Sequence, residues 1–193
     1  MEATTAPGTH RAPGTRVRAG NAMARTRSSI LRAAAQVVAD MGPRRASMSE
    51  IAAAAGVAKG TLYNHFRTRD EIWPALVRAE LDALTEECRG LPLELALAHA
   101  AQRVGAHPAV RRIVADEPGT LTAILTADMA PARDAVAALL SAAQRDPATA
   151  DLVLRWLASH LATPAIDPGG AAALLASVLP PASGHATRGG LPH

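Results

Sequence analysis

The chain has 193 residues, 49% of them hydrophobic but only two Trp, one Tyr and one Phe, which is enough to bury one large core or a small head and a separate body. A single cysteine excludes an internal disulfide, no Cys/His run has zinc-ligand spacing, and no run of about 20 apolar residues is available to span a bilayer, so a reducing, cytoplasmic setting is expected. The net charge of +3 hides a division: residues 1–78 hold 12 Lys and Arg against 5 Asp and Glu, and residues 79–193 hold 8 against 12. A basic end and an acidic remainder are what a protein presents when one end meets a polyanion, although a solvated basic terminus has the same composition.

Residues 1–24 are rich in Ala, Pro, Gly, Thr and Arg without periodicity and are expected to form a disordered basic arm, in which Arg11, Arg16, Arg18 and the following Arg25 can track phosphates or enter a minor groove. The first helix is predicted from Thr26 or Ser28, because Ile30, Ala34, Val37, Val38 and Met41 fall on one face. Gly42-Pro43 ends it. Ser47 then begins a second helix through a capping box with Glu50, and Ile51, Ala52 and Ala55 form its buried stripe. Gly56 stands where a left-handed residue is usual, and Gly56-Val57-Ala58 makes a tight connection to a third helix, Ala58 to His65, with Leu62 and Phe66 four apart on its inner face.

Two short helices joined this way are a helix-turn-helix. The outer face of the second one carries Lys59, Gly60, Thr61, Tyr63, Asn64 and His65. At about 1.5 Å per residue it spans roughly 12 Å, the width of a B-DNA major groove. The polar face of an ordinary helical hairpin looks the same in isolation.

After the hairpin, Thr68 and Glu71 repeat the capping-box spacing and start a long helix, Arg69 to Cys88, with Pro74 inside it. Because it follows the third helix directly, this helix is expected to carry the state of the body to the head. Further helices are predicted at about 92–106, 108–116, 119–129, 131–145, 149–161 and 169–179, each bounded by Pro, Gly or Asp. The last two are apolar over most of their circumference and need a cover. A second copy of the chain is expected to supply it through Leu152, Trp156, Leu174, Leu175 and Val178. Residues after Pro180-Pro181 read as tail.

The run from Ile30-Leu31 through Ala34, Gly42, Ile51-Ala52, Ala55-Gly56-Val57, Lys59-Gly60-Thr61-Leu62-Tyr63 and His65-Phe66 to Arg69-Asp70-Glu71 resembles the N-terminal domain of the tetracycline-repressor (TetR) family of bacterial transcription regulators. The resemblance implies an all-α fold, with a three-helix DNA-binding head on a helical body that dimerises and binds a small-molecule effector. The expected division is a helix-turn-helix domain over 25–68, a ligand-binding and dimerisation domain over 69–181, and a disordered tail over 182–193. Carried over by position, Lys59, Thr61 and Asn64 contact base edges and Gly60 permits close approach. Tyr63, His65, Ser47, Arg69 and Arg27 hold phosphates. Two departures from the family pattern stand out: Val38 replaces a common aromatic, and Ala58 replaces a common N-cap serine.

Between Pro92 and Arg112, the polar residues His99, Gln102, Arg103 and His107 lie among apolar ones, as in a pocket with a few orienting groups. Trp73, beside Pro74, joins them as a candidate ligand contact, though ordinary helix packing produces the same pattern. No phosphate loop, HExxH or G-x-S-x-G motif is present, and Ser159-His160 project to different faces of a helix, so no enzyme, cofactor or metal is expected. The reading is a ligand-responsive repressor that binds a palindromic double-stranded operator as a homodimer. The alternative is a helical small-molecule-binding or protein-interaction module that no longer binds DNA.

Overall fold

The computed structural model describes residues 14–117, 119, 129–163 and 166–182. Apart from an isolated bridge between Arg145 and Pro181, every regular element among them is helical. The head is α1 (Gly14–Met41), α2 (Met48–Ala54) and α3 (Lys59–His65). The body follows as α4 (Arg69–Cys88), α5 (Leu93–Ala106), α6 (Pro108–Asp116), α7 (Ala130–Ala142), a short 3-10 turn, α8 (Ala150–Ala162) and α9 (Pro168–Val178). The helix expected over 119–129 lies, apart from its two end residues, outside the described residues.

Gly and Pro set most of these boundaries. Gly42 (φ +82°), Gly56 (φ +65°) and Gly90 (φ +76°) each follow a helix in the left-handed conformation that a Cβ would strain. At Gly42 a second constraint applies, since an added Cβ would lie 3.1 Å from the Asp116 carboxylate at the end of α6. The Ser47 box forms one of its two bonds, with Glu50 N–H donating to Ser47 Oγ at 3.2 Å. The Thr68 box does not form: Glu71 reaches one residue further back and accepts from Arg67 N–H at 2.8 Å. Pro74 is tolerated inside α4, which runs through it unbroken.

One expectation is corrected at the N-terminus. The arm expected to be disordered through residue 24 is helical from Gly14 onward, so α1 begins twelve residues before Thr26. Pro13 is the last helix breaker before it, and the Ala, Arg and Met of the segment are good helix formers that extend a helix already nucleated by the packed stretch after Ile30. Residues 1–13 lie outside the described residues. At the other end Ala182 N–H donates to the Gln144 carbonyl and Arg145 Nη1 to the Leu179 carbonyl, so the chain is still tied to the body where the tail was expected to start. The tail beyond, 183–193, is not described.

Two cores result. In the head, Ile30, Leu31 and Ala34 of α1 meet Ile51, Ala52, Leu62, Phe66 and Ile72. In the body, Leu93 and Leu97 of α5 meet Val136, Leu140, Val153, Ala172, Ala176 and Leu179. Phe66 is the largest fully buried side chain, and burial of such a ring is worth roughly 1.5–3 kcal/mol.

The start of α3 lacks a side-chain cap, because the exposed N-cap Ala58 has the extended backbone angles of an N-cap but no side chain that can bond the first turn. Ala58→Ser is expected to add about 0.5–1 kcal/mol of stability by bonding the Gly60 or Thr61 N–H. The check is a urea unfolding curve, with a higher midpoint at unchanged slope expected and an unchanged or lower midpoint against it.

A candidate nucleic-acid interface

Burial of Leu62 and Phe66 fixes how α3 is rolled. Lys59, Gly60, Tyr63 and Asn64 are exposed, while Thr61 and His65 are half-buried at the flank. Tyr63 is 50% exposed and packs into no core, so a large aromatic with a hydroxyl donor stands out beside the Lys59 ammonium and the Asn64 amide. Ser47 is exposed at the start of α2; its oxygen accepts the capping bond and its proton is free to donate to a phosphate. The exposed Arg45 and Arg67 add positive charge around this face.

Two arginines expected to hold phosphates also hold the head together. The Arg27 guanidinium sits 4.2 Å above the centroid of the Phe66 ring, and its Nη1 donates to the His65 carbonyl at 3.3 Å. A cation at the carbonyl end of α3 is favourable. Arg69 Nη1 donates to the Pro43 carbonyl at 3.3 Å, pinning the first turn of α4 to the α1–α2 connection. Each guanidinium has five N–H donors, so Arg27 can hold the end of α3 and Arg69 the start of α4 while both still offer donors outward.

The head is not isolated from the body. Val37, Val38 and Ala46 pack with Ala109 of α6, and Ile113 and Trp73 close the contact. Trp73 also packs against the head core, so one half-buried indole touches both clusters. Arg44 Nε lies 3.4 Å from Glu117 Oε1 just beyond α6. This junction was not visible in sequence, since Ala109 and Ile113 carry no sign of which helix they face.

Of the expected ligand contacts, His99, Gln102, Arg103 and His107 come together with Ala106 and Pro108 around an open cleft of about 250 Å³. Trp73 is not brought together with them: it packs at the junction and does not line the cleft. Arg103 and the two histidines already have partners in two α4 carboxylates that the sequence did not single out. Glu87 Oε2 lies 2.6 Å from His99 Nε2 and 3.0 Å from Arg103 Nε. Glu80 Oε2 lies 3.5 Å from Arg103 Nη2 and 3.6 Å from His107 Nε2, the last an ion-pair distance rather than a formed hydrogen bond. The signal was there, because Glu80 and Glu87 are seven apart and so share a face, as do His99, Arg103 and His107 at spacings of four. A second opening of about 440 Å³ adjoins it, lined by Ala101, Gln102, Gly105, Ala106, Arg111, Ile166 and Pro168.

The expected dimer residues divide. Leu152, Leu174 and Val178 are 51%, 67% and 63% exposed, an apolar surface with no cover in the single chain. Trp156 and Leu175 are instead half-buried against the body core of their own chain, because α8 and α9 both lie against α5 and turn those faces inward. Trp156 further stacks edge-on with buried His160 at 4.7 Å. The Ser159 and His160 side chains, expected on different faces, come within 3.4 Å of each other at Oγ and Nδ1, but both also turn to the Trp156 carbonyl, at the shorter distances of 2.6 and 2.8 Å. Among the described residues no group of three or more His, Cys, Asp or Glu is placed to hold a metal, and no helix is long and apolar enough to cross a membrane.

This geometry defines a helix-turn-helix head with an exposed, donor-rich second helix, set on a helical body. Residues 30–76 match the family model for bacterial regulatory proteins, tetR family. Over those residues the head is similar to the DNA-binding domain of that family. A 74-residue stretch is 39% identical to the HTH-type transcriptional activator FasR of Mycolicibacterium smegmatis, covering 37% of this chain and 34% of that protein. A 66-residue stretch is 41% identical to the A-factor receptor protein of Streptomyces griseus, covering 34% of this chain and 24% of that protein. The chain thus matches only about a third or less of the length of these curated relatives. The fold is shared more widely: the TetR-family repressor AlkX from a Dietzia strain superposes with a TM-score of 0.58 at 24% identity, over 79% of this chain and 91% of that one.

The α4–α5 ion pairs have a pH signature. The hydrogen bond with His99, then that with Arg103, holds the Glu87 carboxyl below its ordinary value of 4.5. For Glu80 the neighbouring His107 is the largest cause of the same lowering, and partial burial opposes it. Both carboxyls bind a proton less readily folded than unfolded, so their contribution to stability is complete above about pH 4.5 and is lost as the pH falls through the lowered folded values. Glu80→Gln/Glu87→Gln is therefore expected to be less stable than the parent at pH 7, with the difference shrinking toward about pH 3.5 in urea unfolding. A difference that does not change over that range would contradict the assignment.

Proposed function

We propose that the protein is a ligand-responsive transcriptional repressor that binds a palindromic double-stranded operator as a homodimer. The observation that carries the reading is the outward face of α3, where Lys59, Gly60, Tyr63 and Asn64 stand exposed opposite buried Leu62 and Phe66 on a TetR-family head. Lys59, Thr61 and Asn64 read base edges, with Gly60 allowing the backbone close to the groove. Ser47, Tyr63 and His65 hold phosphates. Arg27 and Arg69 do so while fixing α3 and α4 in place. Phosphate contacts set register and salt dependence, and base contacts set sequence.

The exposed Leu152, Leu174 and Val178 support a second copy as the cover for α8 and α9, and two copies present two reading helices to two half-sites one DNA turn, about 34 Å, apart. A small-molecule effector is placed in the body beside Gln102 and Ala106, where the two openings between α5, α6 and the start of α9 adjoin. Its state reaches the head through α4 and α6, which meet α1 at Trp73 and Ala109. Coupling of about 1–3 kcal/mol between effector and operator is the usual scale.

Band shifts on an operator selected from random DNA test both the reading head and the assembly. Asn64→Ala is expected to weaken binding by about 1–3 kcal/mol and to relax preference at one position of each half-site. Leu174→Glu, chosen over Leu175 because it lies outside the chain's own core, is expected to sediment as a monomer and to lose tight binding. A uniform, sequence-blind loss for Asn64→Ala, or a Leu174→Glu dimer with full affinity, would contradict the respective assignment.

A further inference from the structure

Twelve residues, 14–25, extend α1 beyond its expected start. From Gly20 to Arg25 every residue is exposed, including Met23 at 60%, so no face of this stretch is covered. The helix is nonetheless regular there, with Thr26 Oγ1 donating to the Ala22 carbonyl at 3.0 Å. A bare helical segment containing Gly20 and Asn21 has little stability of its own and is held by continuation of the packed part of α1.

Its direction follows from contacts at two points. Near its C-terminal end α1 packs on the body, through Val37 and Val38 against Ala109 of α6. Further toward the N-terminus, Arg27 touches the His65 carbonyl and the Phe66 ring at the end of α3. Continued another 13 residues to Gly14, about 20 Å, α1 extends beyond Arg27 in the direction opposite to its contact with α6. The charge of this segment is one-sided. By sequence it carries Arg16, Arg18 and Arg25, and from Ala3 to Ala39 the chain has no Asp or Glu at all.

We propose that residues 14–25 of α1 form a helical outrigger that binds the DNA backbone flanking each half-site, extending the footprint beyond the bases read by α3. The occupant is fixed by complementarity: an acid-free arginine segment, continuing from the Arg27 contact at the end of α3 and away from the α6 contact, meets the same polyanion that α3 engages. The contact is to phosphates and adds affinity and salt dependence without adding sequence preference. This deepens the DNA-binding reading and rests on it.

The test uses the intact chain and the triple variant Arg16→Ala/Arg18→Ala/Arg25→Ala, which keeps good helix formers throughout. An operator is first selected from random DNA with the parent, and both proteins are then compared by hydroxyl-radical footprinting and by affinity across a potassium chloride series. The expected result for the variant is loss of protection on the outer flanks of both half-sites, with the consensus unchanged. Its salt slope should fall by about one per arginine lost and its low-salt affinity by at least about tenfold. An identical footprint and slope for both proteins would overturn the outrigger while leaving the reading head intact. If the parent selects no DNA at all, the regulator reading fails and the outrigger with it.

Discussion

The structure depends on one helix being shared between two packing jobs. The first apolar turns of α1 after Ser29 complete the core under α2 and α3, and its last turns complete the contact with α6. Neither α2 nor α3, at seven residues each, is long enough to be stable alone. Their positions are therefore set by Ile30, Leu31 and Ala34 from above and by Arg27 at the far end. Any tilt of α1 displaces the Lys59–Asn64 face, and any shift of α6 is felt first at Val37, Val38 and Ala46.

Trp73 sits where those two effects meet. It follows Ile72, which is fully buried in the head core, and precedes Pro74, which removes one bond from the α4 ladder. Its ring packs against both clusters, so head and body cannot move relative to each other without changing its surroundings. Around it, polar ties reinforce the contact: Arg69 to the Pro43 carbonyl, Arg44 to Glu117, and Gly42 leaving space for the Asp116 carboxylate. An effector acts on such an arrangement only to the extent that it binds its two settings with different affinity.

Much of this was legible in the residues, and the exceptions have physical causes. The described helices after Pro92 were placed within a few residues because Pro, Gly and Asp break the chain at their ends, and the head was legible because Leu62 and Phe66 fix which side of α3 is outside. The start of α1 was misplaced because composition alone does not show a helix propagating outward from a packed nucleus through Arg, Ala and Met. The cleft residues were the right types at the right spacing, but their partners Glu80 and Glu87 come from another helix, and pairing between helices is tertiary information. For the same reason Leu175 and Trp156 looked free in a helical wheel and proved to be half-buried in their own core.

The central claim is that operator binding at α3 is registered at the α1–α4–α6 junction. The most direct test is fluorescence of a Trp156→Phe chain, which leaves Trp73 as the lone indole, during titration with the selected operator. The account predicts that Trp73 emission changes in proportion to the fraction of protein bound, with the midpoint found by band shift, because a site coupled to the operator responds at the operator's own affinity. Saturating operator with Trp73 emission flat throughout would contradict it.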